Sequence, residues 1–258
     1  MEAHDKPPVS LYPTDSQLQG ASDENATFFS TKDFIEAWSR SFGSKYRPLA
    51  IPVIGSEKPR KMYALQATDR YRSRYVFLGP VGLYASPGWN GRLDRSTLER
   101  ILRWLMTFRT RGFVWNVRFD HEPLAAPLSS AGLRFERVPT HVLHLKQGYE
   151  QVFASYNATI RNHVRKAQRR GVRVRQADTE EEVQAYYEIH MGLVRQKQQG
   201  DGYGFIYPLE LLLELTKIRD SARLLVAEVS ERVVAGGLFF RDGSSVMYWH
   251  GASDRNYS

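Results

Sequence analysis

The chain has 258 residues, 42% of them apolar, with a formal net charge of +8, so it can bury one large core or two small ones. It holds no cysteine, which excludes disulfides, thiolate catalysis and cysteine-ligated metals and favours a cytoplasmic protein. No stretch approaches the roughly 18–20 apolar residues of a membrane span, and the N-terminus lacks the basic-then-apolar pattern of a secretion signal.

Residues 1–28 are polar and rich in Pro, Ser and Asp, which predicts a flexible tail. Glu2, Asp5, Asp15, Asp23 and Glu24 stand there against Lys6, a net −4, so a total of +8 leaves +12 for the rest. A surface that basic favours polyanions: nucleic acid, phosphorylated metabolites or an anionic membrane met peripherally.

From Ser30 the pattern becomes helical, with Phe34, Ile35, Ala37, Trp38 and Phe42 on one side. Arg40 and Lys45 fall at or just past its end, where a solvated cation faces the helix dipole. Leu49–Ile54, Lys61–Thr68 and Arg74–Tyr84 read as strands. Asp94 opens a helix expected to run to Arg111 and to stop at Gly112. Phe113–Phe119 is a further strand, finishing in Val117, Arg118 and Phe119 before Asp120. A carboxylate just past a strand end, beside an arginine, is a candidate acid or base, and equally a routine cap. A short helix near Leu124–Ala131 and a strand from Arg134 to Leu145 complete a first α+β unit over residues 29–146.

The second unit, residues 147–258, starts with a helical run. Val152, Phe153, Tyr156, Ile160, Val164 and Ala167 predict one buried stripe. Arg161, Arg165 and Arg169 recur four apart on another face, joined by Lys166 and Arg170. Like charges at that spacing repel by a few tenths of a kcal/mol per pair, so the face is either solvated or faces a polyanion. Gly171 ends the run and Val172–Arg175 is a short strand. Thr179 to Glu182 fits a capping box. The helix after it buries Val183, Tyr186, Tyr187, His190 and Val194, with His190 expected as a satisfied core histidine. The glycine-rich stretch 199–204 is a loop, and Pro208 starts another helix.

Three strands close the chain: Ala222–Val229, Val233–Phe240 and Ser245–His250. Ala235, Gly236 and Gly237 give up side-chain packing in the middle one, which suggests that another backbone or a ligand comes close. Tyr248, Trp249 and His250 followed by Gly251, Ala252 and Ser253 suit the wall of a ligand cleft. No helix and strand follow to cover this sheet, so the second unit is expected to be incomplete at its C-terminal side.

The run Tyr149–Gly171, the strands ARLLVAEVSERVVAGGLFF and the segment YWHGASD together resemble the FemAB-like family. Its members are peptidyl transferases of peptidoglycan cross-bridges, with BioF2-like acetyltransferase relatives. The resemblance covers about residues 29–258 and is strongest over Tyr149–Asp254. It implies two tandem GNAT-type (acyl-CoA N-acyltransferase) domains, matching the two α+β units, and transfer of an activated acyl or aminoacyl group to an amine. The donor would be aminoacyl-tRNA or acyl-CoA, used as substrate and not bound as a resident cofactor; the acceptor would carry an amine and, in the cross-bridge enzymes, a diphosphate. Asp120 aligns with an aspartate near the acceptor amine, and Arg40 with a lysine that contacts acceptor phosphate. Arg118, Arg161, Arg165, Tyr207, Tyr248 and His250 are the remaining candidate substrate-binding residues.

Departures from the family pattern bear on the acceptor. Tyr207 stands where the family has its second phosphate-binding basic residue. The pyrophosphate loop of coenzyme-A-binding relatives and a C-terminal catalytic basic residue are absent from these residues. Three readings follow: an acyl or aminoacyl transferase of cell-envelope or polysaccharide metabolism; a coenzyme-A-dependent N-acetyltransferase of a small molecule; and a non-catalytic RNA-binding or inactive chain.

Overall fold

In the first unit, aromatic side chains set the pattern. Phe34, Ile35, Ala37 and Trp38 recur at helical spacing, and all four are buried on α1 (Lys32–Ser41). A 3₁₀ turn, Phe28–Ser30, leads into it, and the Thr31 hydroxyl donates to Phe28 O at 2.7 Å. Phe28, Phe29 and Phe34 pack edge-to-face at 5.0–5.5 Å. The structure is a computed structural model that describes residues 28–54, 59–69, 71–79, 99, 101–105, 110–116, 129–130, 133–134, 136, 138–199, 206–218, 220–242 and 245–257.

The first sheet has the order β1 (Tyr46–Ile54), β2 (Pro59–Thr68), β3 (Arg74–Leu78), β4 (Thr110–Trp115). The first two pairings are antiparallel, and β3 pairs β4 in parallel. A parallel neighbour requires a crossover. Residues 101–105 are helical within it and bury Ile101, Leu102, Trp104 and Leu105. Ile101, Trp104 and Leu105 meet Ile51, Met62, Ala64, Val76 and Leu78 in a core that holds no titratable group among the described residues.

Two expectations for this unit are corrected. Arg111 does not end a helix: β4 already starts at Thr110, and Gly112 lies inside it with the Tyr75 ring against its α-carbon, 3.4 Å from where a Cβ would stand. The strand expected from Arg134 to Leu145 does not form among the described residues, where 138–144 carry no ladder and are exposed. Pro139 removes one ladder donor there.

The chain divides into two compact units between residues 135 and 136. In the second, Gly148 at φ +81° turns the chain into α2 (Tyr149–Ser155). Tyr156 is extended and Asn157 caps a new helix, α3 (Ala158–Arg169), accepting from the Ile160 N–H at 2.9 Å. This break undoes the expected continuous stripe. Val152 alone of the six apolar residues is buried, α3 buries nothing, and Ile160 is 44% exposed. Gly171, at φ +78°, ends α3, with the Val172 N–H returning to Ala167 O.

The second sheet has the order β5 (Arg173–Gln176), β6 (Ala222–Val229), β7 (Arg232–Asp242), β8 (Ser245–Ser253), antiparallel throughout. Between β5 and β6 the chain forms α4 (Glu180–Gln199) and α5 (Leu209–Lys217). The capping box holds: Thr179 Oγ1 accepts from the Glu182 N–H, and Glu182 accepts from the Thr179 and Asp178 N–H groups. Arg175 bridges Glu182 on α4 and Glu228 on β6, so one guanidinium joins three elements. Its hydrogen bond holds the Glu182 carboxyl down at about 2. Val183, Tyr186, His190 and Val194 are buried on α4, and Leu211, Leu212 and Leu215 on α5.

Candidate functional site

The site grows from an irregularity in β8. Leu238 pairs with His250 and Phe239 with Tyr248, so Trp249 is an extra residue without a ladder partner. A bulge of this kind turns successive side chains to the same side. Trp249 and His250 accordingly both meet Tyr207, with ring centres 4.5 and 5.4 Å away.

Glycines shape the surroundings. A Cβ on Gly236 would stand 2.5 Å from Tyr186 Cδ2 and 3.0 Å from Leu225 O, so the Tyr186 ring of α4 rests on bare backbone. On Gly237 a Cβ would meet Phe239 and Tyr248 at 3.2 Å. Adjacent strand residues point to opposite faces. Tyr186 and His250 therefore occupy one face of the sheet and Tyr248, 58% exposed, the other.

On the α4 face, Nδ1 of His250 lies 2.9 Å from the Tyr186 hydroxyl. The His190 and His250 ring centres are 4.8 Å apart, and Tyr207 stacks on His250. His250 Nε2 and both ring nitrogens of His190 are buried without a hydrogen-bond partner. Burial, and then the facing His190, push His250 down to about 3; burial and then Lys197 lower His190. Both imidazoles are neutral at ordinary pH. Burial also raises Tyr207 to about 12 and lifts Tyr186 further. The cluster is polar and uncharged, and a hydrogen bond among such buried groups is stronger than in water.

A separate groove of about 850 Å³ runs between α4, the β6–β7 turn and the end of β8. Glu188, Arg195, Glu231, Arg232 and Asp254 give it mixed charge. Arg232 reaches Asp254 at 3.4 Å, and Ser230 and Glu231 both hold positive φ in the turn. Among the described residues no group of three or more metal-ligating side chains occurs, and no helix is long and apolar enough to cross a membrane.

The structure brings His250 and Tyr207 together and leaves Tyr248 on the opposite face. The Arg161 guanidinium is engaged by backbone oxygens, donating to Ala154 O at 2.9 Å and to Tyr156 O at the end of α2. Arg165 sits over the Phe153 ring at 5.7 Å. Arg40 pairs with Glu36 at 3.6 Å, one turn back on α1. Arg118 and Asp120 lie outside the described residues. His190 is a core histidine, 6% exposed, but not a satisfied one. The Tyr186–His250 bond escaped the sequence reading, although Tyr186 and His190 stand one turn apart on the buried stripe and Gly236 announced a close approach.

Residues 154–258 match the acetyltransferase (GNAT) domain family. No curated protein sequence matches the chain. Among solved structures, the chain is similar to FemX, with a TM-score of 0.62, 12% identity and coverage of 93% of this chain and 78% of that one. It is also similar to a conserved protein of unknown function from Bacteroides thetaiotaomicron VPI-5482, with a TM-score of 0.51, 9% identity and coverage of 96% and 80%. The bulged β8, the four-stranded antiparallel sheet and α4 all fall within the matched family segment. Residues 154–258 therefore match an acetyltransferase (GNAT) domain, and the chain is an α+β protein of two units with a fold similar to that of FemX.

Proposed function

We propose that the protein transfers an activated acyl or aminoacyl group from an ester or thioester donor to an amine. The observation that carries this reading is the family match over residues 154–258, a segment that includes the bulged strand and its Tyr–His hydrogen bond. The amine attacks the acyl carbonyl directly, so the protein must orient the two, remove a proton and stabilise the developing oxyanion. Asp120 is assigned to the amine, orienting the ammonium group or taking its proton, with Arg118 beside it. Arg40 is assigned to an acceptor phosphate, where a guanidinium pairs in bidentate fashion. The donor is acyl-CoA or aminoacyl-tRNA, and the acceptor is an amine of the cell envelope, a polysaccharide or a small molecule.

A second observation favours a polynucleotide-borne donor. Every charged residue of α3 is basic and the helix buries nothing. With Arg161 engaged on α2, Arg165, Lys166, Arg169 and Arg170 are the exposed cations for a phosphate backbone.

The test is transfer of labelled acyl groups from acyl-CoA and from aminoacyl-tRNA to a panel of amines. Product is expected with one donor class and its loss in folded Asp120→Asn. Full activity in that variant removes Asp120 from the mechanism, and no product with either donor class overturns the transferase reading.

A further inference from the structure

A buried imidazole ordinarily has both nitrogens partnered, because an unmade hydrogen bond in a dry site forfeits the water it gave up. His250 is partnered on one side only. Nδ1 meets the Tyr186 hydroxyl, and Nε2 is buried with nothing to bond. Two tautomers are open to the neutral ring. If Nδ1 carried the hydrogen and donated to Tyr186, the phenolic proton and the Nε2 lone pair would both lack partners. If Tyr186 donates to Nδ1, Nε2–H alone lacks one. The second arrangement leaves fewer groups unsatisfied, and burial that raises the phenol keeps its proton in place.

Nε2 is thus an N–H donor awaiting an acceptor. The His250 ring that carries it packs among the rings of His190, Tyr207 and Trp249, centred 4.8, 5.4 and 4.6 Å away. His190 adds two further buried nitrogens without partners, so three imidazole nitrogens on neighbouring rings lack a hydrogen bond. The ring itself is half-buried on the outer strand of the sheet, next to Gly251. An uncharged donor there suits an uncharged acceptor, a carbonyl oxygen, and offers little to a phosphate or carboxylate.

We propose that His250 Nε2–H holds the carbonyl oxygen of the transferred acyl group, with Tyr186 as the positioning residue that fixes the tautomer. The inference rests on the transferase reading above. The amine nitrogen attacks the carbonyl carbon, and the C=O π pair moves onto oxygen, where it accepts from Nε2–H. Collapse restores the carbonyl and breaks the C–O or C–S bond to the donor. The proton shed by the amine ends on the leaving oxygen or sulfur. A donor aimed at that oxygen strengthens as negative charge develops, so its effect falls on kcat.

Nitrogen-15 spectra of the full chain, labelled at histidine, test the assignment without turnover. His250 is expected as the Nε2–H tautomer, and Tyr186→Phe is expected to lose that fixed tautomer. In the transfer assay, His250→Phe is expected to lower kcat about 10²–10³-fold, with the donor KM within about threefold of wild type. His250→Gln, which keeps an N–H, should recover part of that loss. An Nδ1–H tautomer in the wild-type chain, or wild-type kcat in folded His250→Phe, overturns the proposal. Should the wild-type chain transfer nothing, the transferase reading fails separately. A non-reactive ketone analogue of acyl-CoA is then titrated, and an Nε2 resonance that moves supports the carbonyl contact, whereas an unmoved one overturns it.

Discussion

The two sheets bury opposite kinds of chemistry. Under the first, Ile51, Met62, Ala64, Val76, Leu78, Ile101, Trp104 and Leu105 form a core without an ionisable side chain. Against the second, α4 presses Tyr186 and His190 onto Tyr207, Trp249 and His250, and three imidazole nitrogens go without partners. Hydrocarbon packing needs only volume and shape, so a core of that kind specifies a scaffold. Buried polar rings lose free energy wherever a hydrogen bond is missing. Such an arrangement costs stability that a hydrocarbon core would keep.

The contrast makes the two regions respond differently to truncation and to crowding. Leu78 is fully buried, and Leu78→Ala is expected to lose about 2–5 kcal/mol through lost transfer energy and the cavity left behind. Thermal unfolding by circular dichroism gives the loss, and the His250 ring resonances should not move while the variant stays folded. A moved resonance would mean that the first core shapes the second site. Gly236→Ala attacks the other region. Its Cβ would press on Tyr186 Cδ2 at 2.5 Å and Leu225 O at 3.0 Å, and a backbone oxygen has little room to yield. The expected loss is about 1–3 kcal/mol, together with the Tyr186–His250 hydrogen bond. A variant as stable as wild type, with that bond intact, would show that the ring slides aside freely.

Much of this was legible in the chain itself. The closing meander was, because runs of branched residues separated by polar breaks leave few alternatives, and Ala222–Val229 is β6 without adjustment. The capping box at Thr179 and Glu182 was legible because both partners are local in sequence. A close approach at Gly236 was legible, since glycine inside a strand needs a reason, but its nearest neighbour is the Tyr186 ring and not a backbone or a ligand. The bulge at Trp249 was not, because register is set by pairing with β7, and nothing in YWH distinguishes two residues on one face from alternation. The long stripe from Val152 to Ala167 misled, since periodicity cannot register a break at Asn157 that starts a second helix. Arg161 reads in sequence as a binding group, and the contact its guanidinium makes with the end of α2 is a tertiary detail that spacing does not reveal. His190 was rightly placed inside, but whether a buried ring finds partners depends on tertiary neighbours alone.

Acid separates the two cores further. His190 and His250 have folded-state values below the ordinary 6.5, so the folded chain binds fewer protons than the unfolded one below that pH. Stability is therefore complete above about 6.5 and declines as pH falls toward the folded-state values, which for His250 means about 3. Each histidine that stays neutral forfeits about 1.4 kcal/mol per pH unit below the unfolded-state value. Denaturant midpoints between pH 7 and 5 read this decline before Glu182, held down at about 2, adds its own below 4.5. A flat stability profile across that range would mean that the imidazoles take up protons in the folded state, and would place solvent or a counter-charge in the cluster.

The smallest expected change is the most discriminating. His190→Leu removes a ring 6% exposed whose two nitrogens have no partner and puts hydrocarbon of similar bulk among Tyr186, Tyr187, Tyr207 and His250. Deleting an unsatisfied polar group in favour of an apolar one is nearly neutral or stabilising, so the midpoint at pH 7 should hold or rise by about 1 kcal/mol. The same variant should lose one of the two titrating groups from the acid profile, leaving a shallower decline. A loss above about 2 kcal/mol at pH 7 would instead indicate that ordered water satisfies His190, and the second core would then differ from the first in hydration and not in unmet polarity. If stability holds but the acid decline keeps its full slope, the protons enter elsewhere, and His250 alone becomes the group that distinguishes the two halves.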